Sequence, residues 1–175
     1  MENQLLTLFA QRRSVRAYTD EPIPEESLKA ILQAGLLSPS GRGLRPWELV
    51  IVRDRRTLDR LAECRDGAAQ MLKGASCAVV VLGDSEKTDV WTEDCSNVMM
   101  NMHLMASALG VGSCWIQGRL RTAGGVSTEE IVREILGFPD HLKLEAILSL
   151  GMPAAQPEAR SLDELPEEKL HWEKF

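Results

Sequence analysis

Hydrophobic residues recur along this chain in two rhythms, and each rhythm predicts a different kind of element. Leu5, Leu6 and Phe9 share one side of a short amphipathic helix over residues 2–11, and the basic segment RRSVR follows at the end that the helix dipole favours for positive charge. Leu28, Ile31, Leu32 and Leu36 repeat the helical spacing over 25–37, where Pro24 can occupy a first-turn position, Glu25 and Glu26 follow it, and Pro39 ends the helix. Four segments instead have strand length and β-branched content: WELVIV at 47–52, CAVVVL at 77–82, VGSCWI at 111–116 and LEAILSLG at 144–151. Between them the pattern predicts helices at 55–64, 66–73, about 89–109, and 127–137, the last starting after Ser127 or Thr128 and ending at Gly137.

The long helix carries the most information. Trp91, Cys95, Val98, Met102, Met105 and Leu109 recur every three or four residues, while Met99 and Leu104 widen the apolar surface beyond one stripe. Two packed faces follow, which suits either a helix shared with a second subunit or the central helix of a monomer; a small domain has little depth to hide such a helix, and a homodimer is expected. Helices and strands mix without strict βαβ alternation, so the fold class is α+β rather than a doubly wound sheet.

Composition narrows the setting. A chain of 175 residues that is 44% hydrophobic can bury one core, and with no internal repeat or linker it reads as a single domain over 1–175. A formal charge of −6 argues against nucleic acid and anionic membranes as partners, so any phosphate site must be local. The N-terminus does not resemble a secretory signal, no apolar run has membrane-spanning length, and Cys64, Cys77, Cys95 and Cys114 are scattered without a metal-ligand spacing; a reduced cytoplasmic location is expected.

Three segments carry candidate chemistry. Arg12, Arg13 and Arg16 flank Ser14 and could cradle a phosphate monoester, although such a run is more often a solvated face. In SPSGRGLRPWELVIV (38–52), Ser40, Gly41 and Gly43 lie in a helix-to-strand turn whose N–H groups could face a ligand, with an ordinary loop as the alternative. ALGVGSCWIQG (108–118) runs through a strand into Gly118 almost without titratable groups, so any ligand contact there would be through the main chain; a buried strand and turn explain it equally. His103 and His141 lack partners at metal-ligand spacing, no metal site is expected, and Cys95 and Cys114 read as small buried residues. Trp91 and Asp94 could line a cleft or serve as a buried anchor and a helix-dipole partner.

RRSVRAY, SPSGRGLRPWELVIV, DCSNVMMNMHLMASALGVGSCWIQG and LGFPDHLKLEAILSLGMP, in this order and spacing, resemble the FMN-dependent nitroreductase family over nearly the whole chain. The resemblance implies a three-layer α+β fold, with a central, mainly antiparallel sheet flanked by helices, in a domain-swapped type of homodimer whose C-terminal arm, about 155–175, packs on the other subunit. It implies that Arg12, Arg13, Ser14 and Arg16 hold the FMN phosphate and ribityl chain, joined by Arg160. Pro39, Ser40, Gly41, Gly43 and Arg45 would meet the flavin from the second subunit; Arg45 stands where relatives often have glutamine, and Gly43 departs from their usual asparagine. Trp115, Ile116, Gln117 and Gly118 would supply main-chain contacts at the flavin N5 and O4 edge, where fixed donors stabilise added electron density. Arg42 and Trp91 would line the substrate cleft, left open by the short GDSEKTD linker.

The implied activity is hydride transfer from NADH or NADPH through FMN to a small-molecule acceptor such as a nitroaromatic or quinone, by a ping-pong mechanism in which the flavin, not a side chain, is the reactive group. A non-catalytic FMN-binding protein for storage, sensing or delivery is the alternative, and a non-flavin anion-binding module is a third.

Overall fold

The computed structural model describes residues 3–175. Strands β1 (Trp47–Val52), β2 (Cys77–Asp84), β3 (Gly112–Gln117) and β6 (Leu142–Gly151) form one antiparallel sheet in the order β1-β2-β6-β3. The small hairpin β4 (Thr122–Ala123) and β5 (Val126–Ser127) stands apart from it. Helices α2 (Glu25–Leu36) and α4 (Trp91–Ala108) cover one face, α3 (Arg55–Leu61) and α5 (Thr128–Leu136) cover the other, and α1 (Gln4–Gln11) lies on α4. This is the expected three-layer α+β arrangement.

Because both faces are covered, alternate residues of the inner strands feed two cores. Val80, Leu82, Leu144 and Ile147 pack with Leu58, Leu61 and Val132, while Val79, Val81, Leu148 and Leu150 pack with Ile31, Val98, Met99 and Met102. An antiparallel sheet with one wet face would show alternating polarity; here β2 and β6 read as nearly continuous apolar runs for want of a wet face. The register of β2 against β6 slips at Val81/Leu82, where Glu145 is left without an opposite partner, and this bulge lies beside the end of β3.

Local capping sets most boundaries. The Asn3 side chain accepts from the Leu5 and Leu6 amides and starts α1 at Gln4; position 2 of the expected helix falls outside the described residues. Ser127 and Glu130 form a reciprocal capping box, and Gly137 ends α5 in the left-handed region at φ 74°. Pro24 stands at the cap of α2 rather than inside its first turn.

One expectation is corrected. The helix at 66–73 shrinks to a 3-10 turn at Gln70–Lys73, and α3 stops at Leu61, because Gly67 takes φ 65° and the Gln70 side chain draws off the Ala62 carbonyl. The broad apolar surface of α4 is used mostly within the chain: Cys95, Val98, Met99, Met102 and Ala106 lie in the core between the sheet and α2, while Leu104 and Met105 are half-buried and Leu109 is exposed.

Candidate functional site

The arginine segment runs along the open edge of β3. Val15 N–H donates to the Ser113 carbonyl at 2.9 Å on the side away from β6, and Tyr18 bridges to Pro153. Antiparallel pairing alternates, so Trp115 and Gln117 also turn their main-chain groups to that edge. The Gln117 carbonyl accepts from Arg65 at 3.2 Å, whereas its N–H meets no carbonyl that the sheet supplies. Ile116 faces β6, and so does Gly118, whose amide donates to the Glu145 carbonyl at 3.1 Å. Gly118 is therefore not the free donor that the sequence suggests. A Cβ there would lie 2.5 Å from Leu144 Cδ2, so the residue is small to admit a core side chain.

Arg12, Arg13 and Arg160 come together at one end of this edge. The Arg160 amide donates to the Ala10 carbonyl at 2.9 Å, bringing the tail back over the end of α1, and Arg13 donates to the Glu158 carbonyl. Burial, then repulsion from Arg160 and Arg13, holds the Arg12 guanidinium below the usual arginine value. Among the described residues no carboxylate forms an ion pair with any of the three, although the chain as a whole is acidic. Ser14 and Arg16 face the Cys114 thiol, which burial pushes up. Arg12 donates to His103 Nε2 at 2.8 Å, and His103 Nδ1 lies 2.5 Å from Ser113 Oγ. A cavity of about 530 Å³ opens beside this segment, lined by Arg13, Val15, Ser113 and Pro153 among others.

The loop carrying Pro39, Ser40, Gly41, Arg42, Gly43 and Arg45 is fastened along α4. Asp94 Oδ1 accepts from the Gly41 amide at 2.9 Å, Ser40 Oγ accepts from the Arg45 amide at 2.9 Å, and Asn101 holds Ser38. Arg42, Gly43 and Arg45 all have positive φ (54°, 69° and 48°), so two bulky residues sit where glycine is usual. Asp94 and His103 are separated by about 13 Å along α4.

Beyond the end of β3, a cavity of about 300 Å³ is lined by Trp91, Gly118, Arg119, Leu120, Arg121 and Lys143, with Glu129. The Arg119 guanidinium stands 5.8 Å from the Trp91 ring. Nearby, the Glu145 side chain is 3% exposed; Ser96 donates to one oxygen, and the other has no partner. Burial raises its pKa. The folded chain then keeps this proton where the unfolded chain has lost it, so the contribution to stability is present below the ordinary glutamate range and fades as pH rises through the raised value. Glu145→Gln is expected to flatten that decline, gaining about 1–3 kcal/mol over the wild type at the alkaline end and little at the acidic end. Urea unfolding of both proteins across pH checks this; parallel pH curves would contradict it.

Sequence reasoning missed the roles of Asp94, His103 and Glu145 and the basic rim of Arg119, Arg121 and Lys143. The hairpin β4–β5 had a visible signal, since Gly124 and Gly125, both at positive φ, occupy its turn. Among the described residues no helix is long and apolar enough to cross a membrane, and no three metal-ligating side chains are grouped.

A helix-covered antiparallel sheet with an open-edged strand leading from an arginine cluster to a cleft defines a class that comparison with known proteins identifies. The Nitroreductase family model matches residues 9–65 and 62–152. A protein of Archaeoglobus fulgidus, provisionally named NADH dehydrogenase/NAD(P)H nitroreductase, is 34% identical over 98% of this chain and 99% of its own length. A solved FMN-dependent nitroreductase from Clostridium difficile superposes with a TM-score of 0.94 at 38% identity, covering 97% of this chain and 99% of that one. A protein of Desulfovibrio desulfuricans, provisionally named a nitroreductase and solved in complex with FMN, gives 0.81 at 28% identity over 100% and 99% of the two chains. The chain belongs to the nitroreductase family, and it is an oxidoreductase.

Proposed function

We propose that this protein is a homodimeric, cytoplasmic, FMN-dependent oxidoreductase. It takes hydride from NADH or NADPH and passes it, in ping-pong order, to a nitroaromatic, quinone or similarly conjugated acceptor. The observation that carries the reading is the arginine cluster, without a carboxylate partner among the described residues, set at one end of a strand edge that exposes the Gln117 amide at the other. A dianionic phosphate fits the first and the edge of a planar heterocycle fits the second. FMN, when bound, supplies the two-electron chemistry. Arg12, Arg13, Ser14, Arg16 and Arg160 hold its phosphate and ribityl chain. The end of β3 presents its ring edge to main-chain donors, the Gln117 amide foremost. Trp91 and Arg42 border the space where donor and acceptor bind in turn.

Dimerisation is supported by apolar surface that the single chain leaves uncovered. Leu5, Leu6, Phe9, Leu37 and Leu109 are exposed around α1 and the ends of α2 and α4, and Trp172 (83% exposed) and Phe175 lie in a tail that reaches no core. In the dimer, the tail packs on the other subunit, and the Pro39–Arg45 loop of one subunit completes the flavin site of the other. Four buried free cysteines agree with a reducing compartment.

Anaerobic mixing of the FMN-loaded protein with NADH and with NADPH is the test. Loss of the oxidised flavin absorption with at least one donor, and its return when a nitroaromatic or quinone is added, is the expected result. A flavin that stays oxidised with both donors would leave a binding protein without turnover.

A further inference from the structure

Arg12 is held by an unusual partner. A half-buried guanidinium is most simply satisfied by a carboxylate, yet here the acceptor is the Nε2 of His103, at 2.8 Å. His103 projects from the middle of α4 and is 3% exposed. Its other nitrogen is 2.5 Å from Ser113 Oγ on β3, the residue whose carbonyl anchors the arginine segment at Val15.

The protonation pattern follows from donor counting. A guanidinium can only donate, so Nε2 must carry a lone pair; the ring hydrogen is then on Nδ1 and is donated to Ser113 Oγ. An imidazolium would present a hydrogen to Arg12 and break the contact. Burial, with the Arg12 charge adding to it, keeps the ring neutral by lowering its pKa to about 4. Among the described residues the charge acting on the ring is that of Arg12; Arg160, Arg13 and the Cys114 thiol stand near Arg12 in turn.

We propose that His103 is a positioning residue for the anion site: a neutral acceptor, fixed in its Nδ1–H form by Ser113, that orients Arg12 toward a ligand phosphate without cancelling its charge. This rests on the reading of Arg12 as a phosphate ligand. The choice of imidazole has a physical reason. Aspartate or glutamate at this place would orient the guanidinium equally well, but would compete with the incoming anion and weaken the field that draws it in. A leucine would leave Arg12 free to swing and leave Ser113 without its donor. Histidine gives orientation and leaves the cluster's positive charge available.

Two measurements test it. Nitrogen-15 histidine spectra of the wild-type protein without flavin, with the His103 signals assigned by their loss in His103→Gln, should show a neutral ring with the proton on Nδ1 at pH 7. A ring protonated on Nε2, or on both nitrogens, overturns the proposal whatever the protein binds. Flavin fluorescence titrations then compare FMN with riboflavin, which lacks the phosphate. His103→Leu should weaken FMN about tenfold, as expected for one hydrogen bond to a charged group, and leave riboflavin within about twofold. His103→Gln, whose amide oxygen can still accept from Arg12, should recover most of the FMN affinity. Equal weakening of both ligands by His103→Leu would mark a purely structural role and defeat the proposal, as would no change in either. Arg12→Ala separates the two levels: if it too fails to distinguish FMN from riboflavin, the phosphate reading itself has failed; if it distinguishes them and His103→Leu does not, only the positioning role has. Should His103→Leu fail to fold, the spectra of the wild-type protein decide alone.

Discussion

Replacing Arg12 and Arg16 together by alanine is expected to abolish FMN retention through purification and to raise the FMN dissociation constant by about 10²- to 10⁴-fold. Each charge-assisted bond to phosphate contributes about 1.5–3 kcal/mol, and two such losses give that range. Riboflavin affinity should fall much less than FMN affinity, because riboflavin loses only what these side chains give the ribityl chain and keeps its ring contacts at the β3 end. The fold should survive: Arg16 is exposed, Arg12 is half-buried, and neither belongs to the two hydrophobic cores. Removing Arg12 also relieves its repulsion with Arg13 and Arg160, which offsets part of the lost contact with His103. Titration at two salt concentrations sharpens the outcome, since the FMN affinity of the wild-type protein should fall with salt more steeply than that of the double variant. An unchanged FMN affinity would remove both arginines from the site.

The elements that were legible from sequence are those whose causes are local. The β-branched runs at 47–52 and 77–82 became β1 and β2, and Ser127 and Gly137 bounded α5 because caps act within four residues of the backbone they satisfy. The segment 66–73 misled because Ala69 and Leu72 are apolar at helical spacing and fully buried, yet Gly67 turns the chain before a helix can close. Burial without a helix is possible there because short turns can also feed a core.

The site was legible only as composition. That Arg12, Ser14 and Arg16 are close follows from adjacency, but the partner that aims Arg12 lies 91 residues away, and the carboxylate that ties down Gly41 lies 53 residues away. No periodicity links such pairs; they meet because α4 runs past both the edge of β3 and the loop that precedes β1. Asp94 and His103 look like interruptions of an apolar helix when read in line. In the fold they are two of the places where that helix reaches out to the candidate site.

The Gly118 amide is spent on the Glu145 carbonyl, and the close approach of Leu144 to this glycine supplies a second large effect. Gly118→Ala should destabilise the protein by about 1–3 kcal/mol through overpacking, because its Cβ would meet Leu144 Cδ2 at 2.5 Å and Cγ at 2.7 Å. Leu144 is fully buried among Leu82, Ile116 and Ile147 and cannot rotate into solvent. The strain can then be relieved only by lifting the turn off β6, which would break the Gly118 and Arg119 amide bonds to the Glu145 carbonyl, at 3.1 and 2.9 Å. Leu144→Ala alone should cost about 2–5 kcal/mol by leaving a cavity. The pair, however, should not add: with Leu144 cut back, the new methyl enters vacated space, and the double variant should be more stable than the sum of the single effects by about 0.5–3 kcal/mol. Urea denaturation of the four proteins measures that coupling. Strict additivity would mean that Leu144 is not what keeps position 118 small, and the close approach of a ligand would return as the better explanation for the glycine.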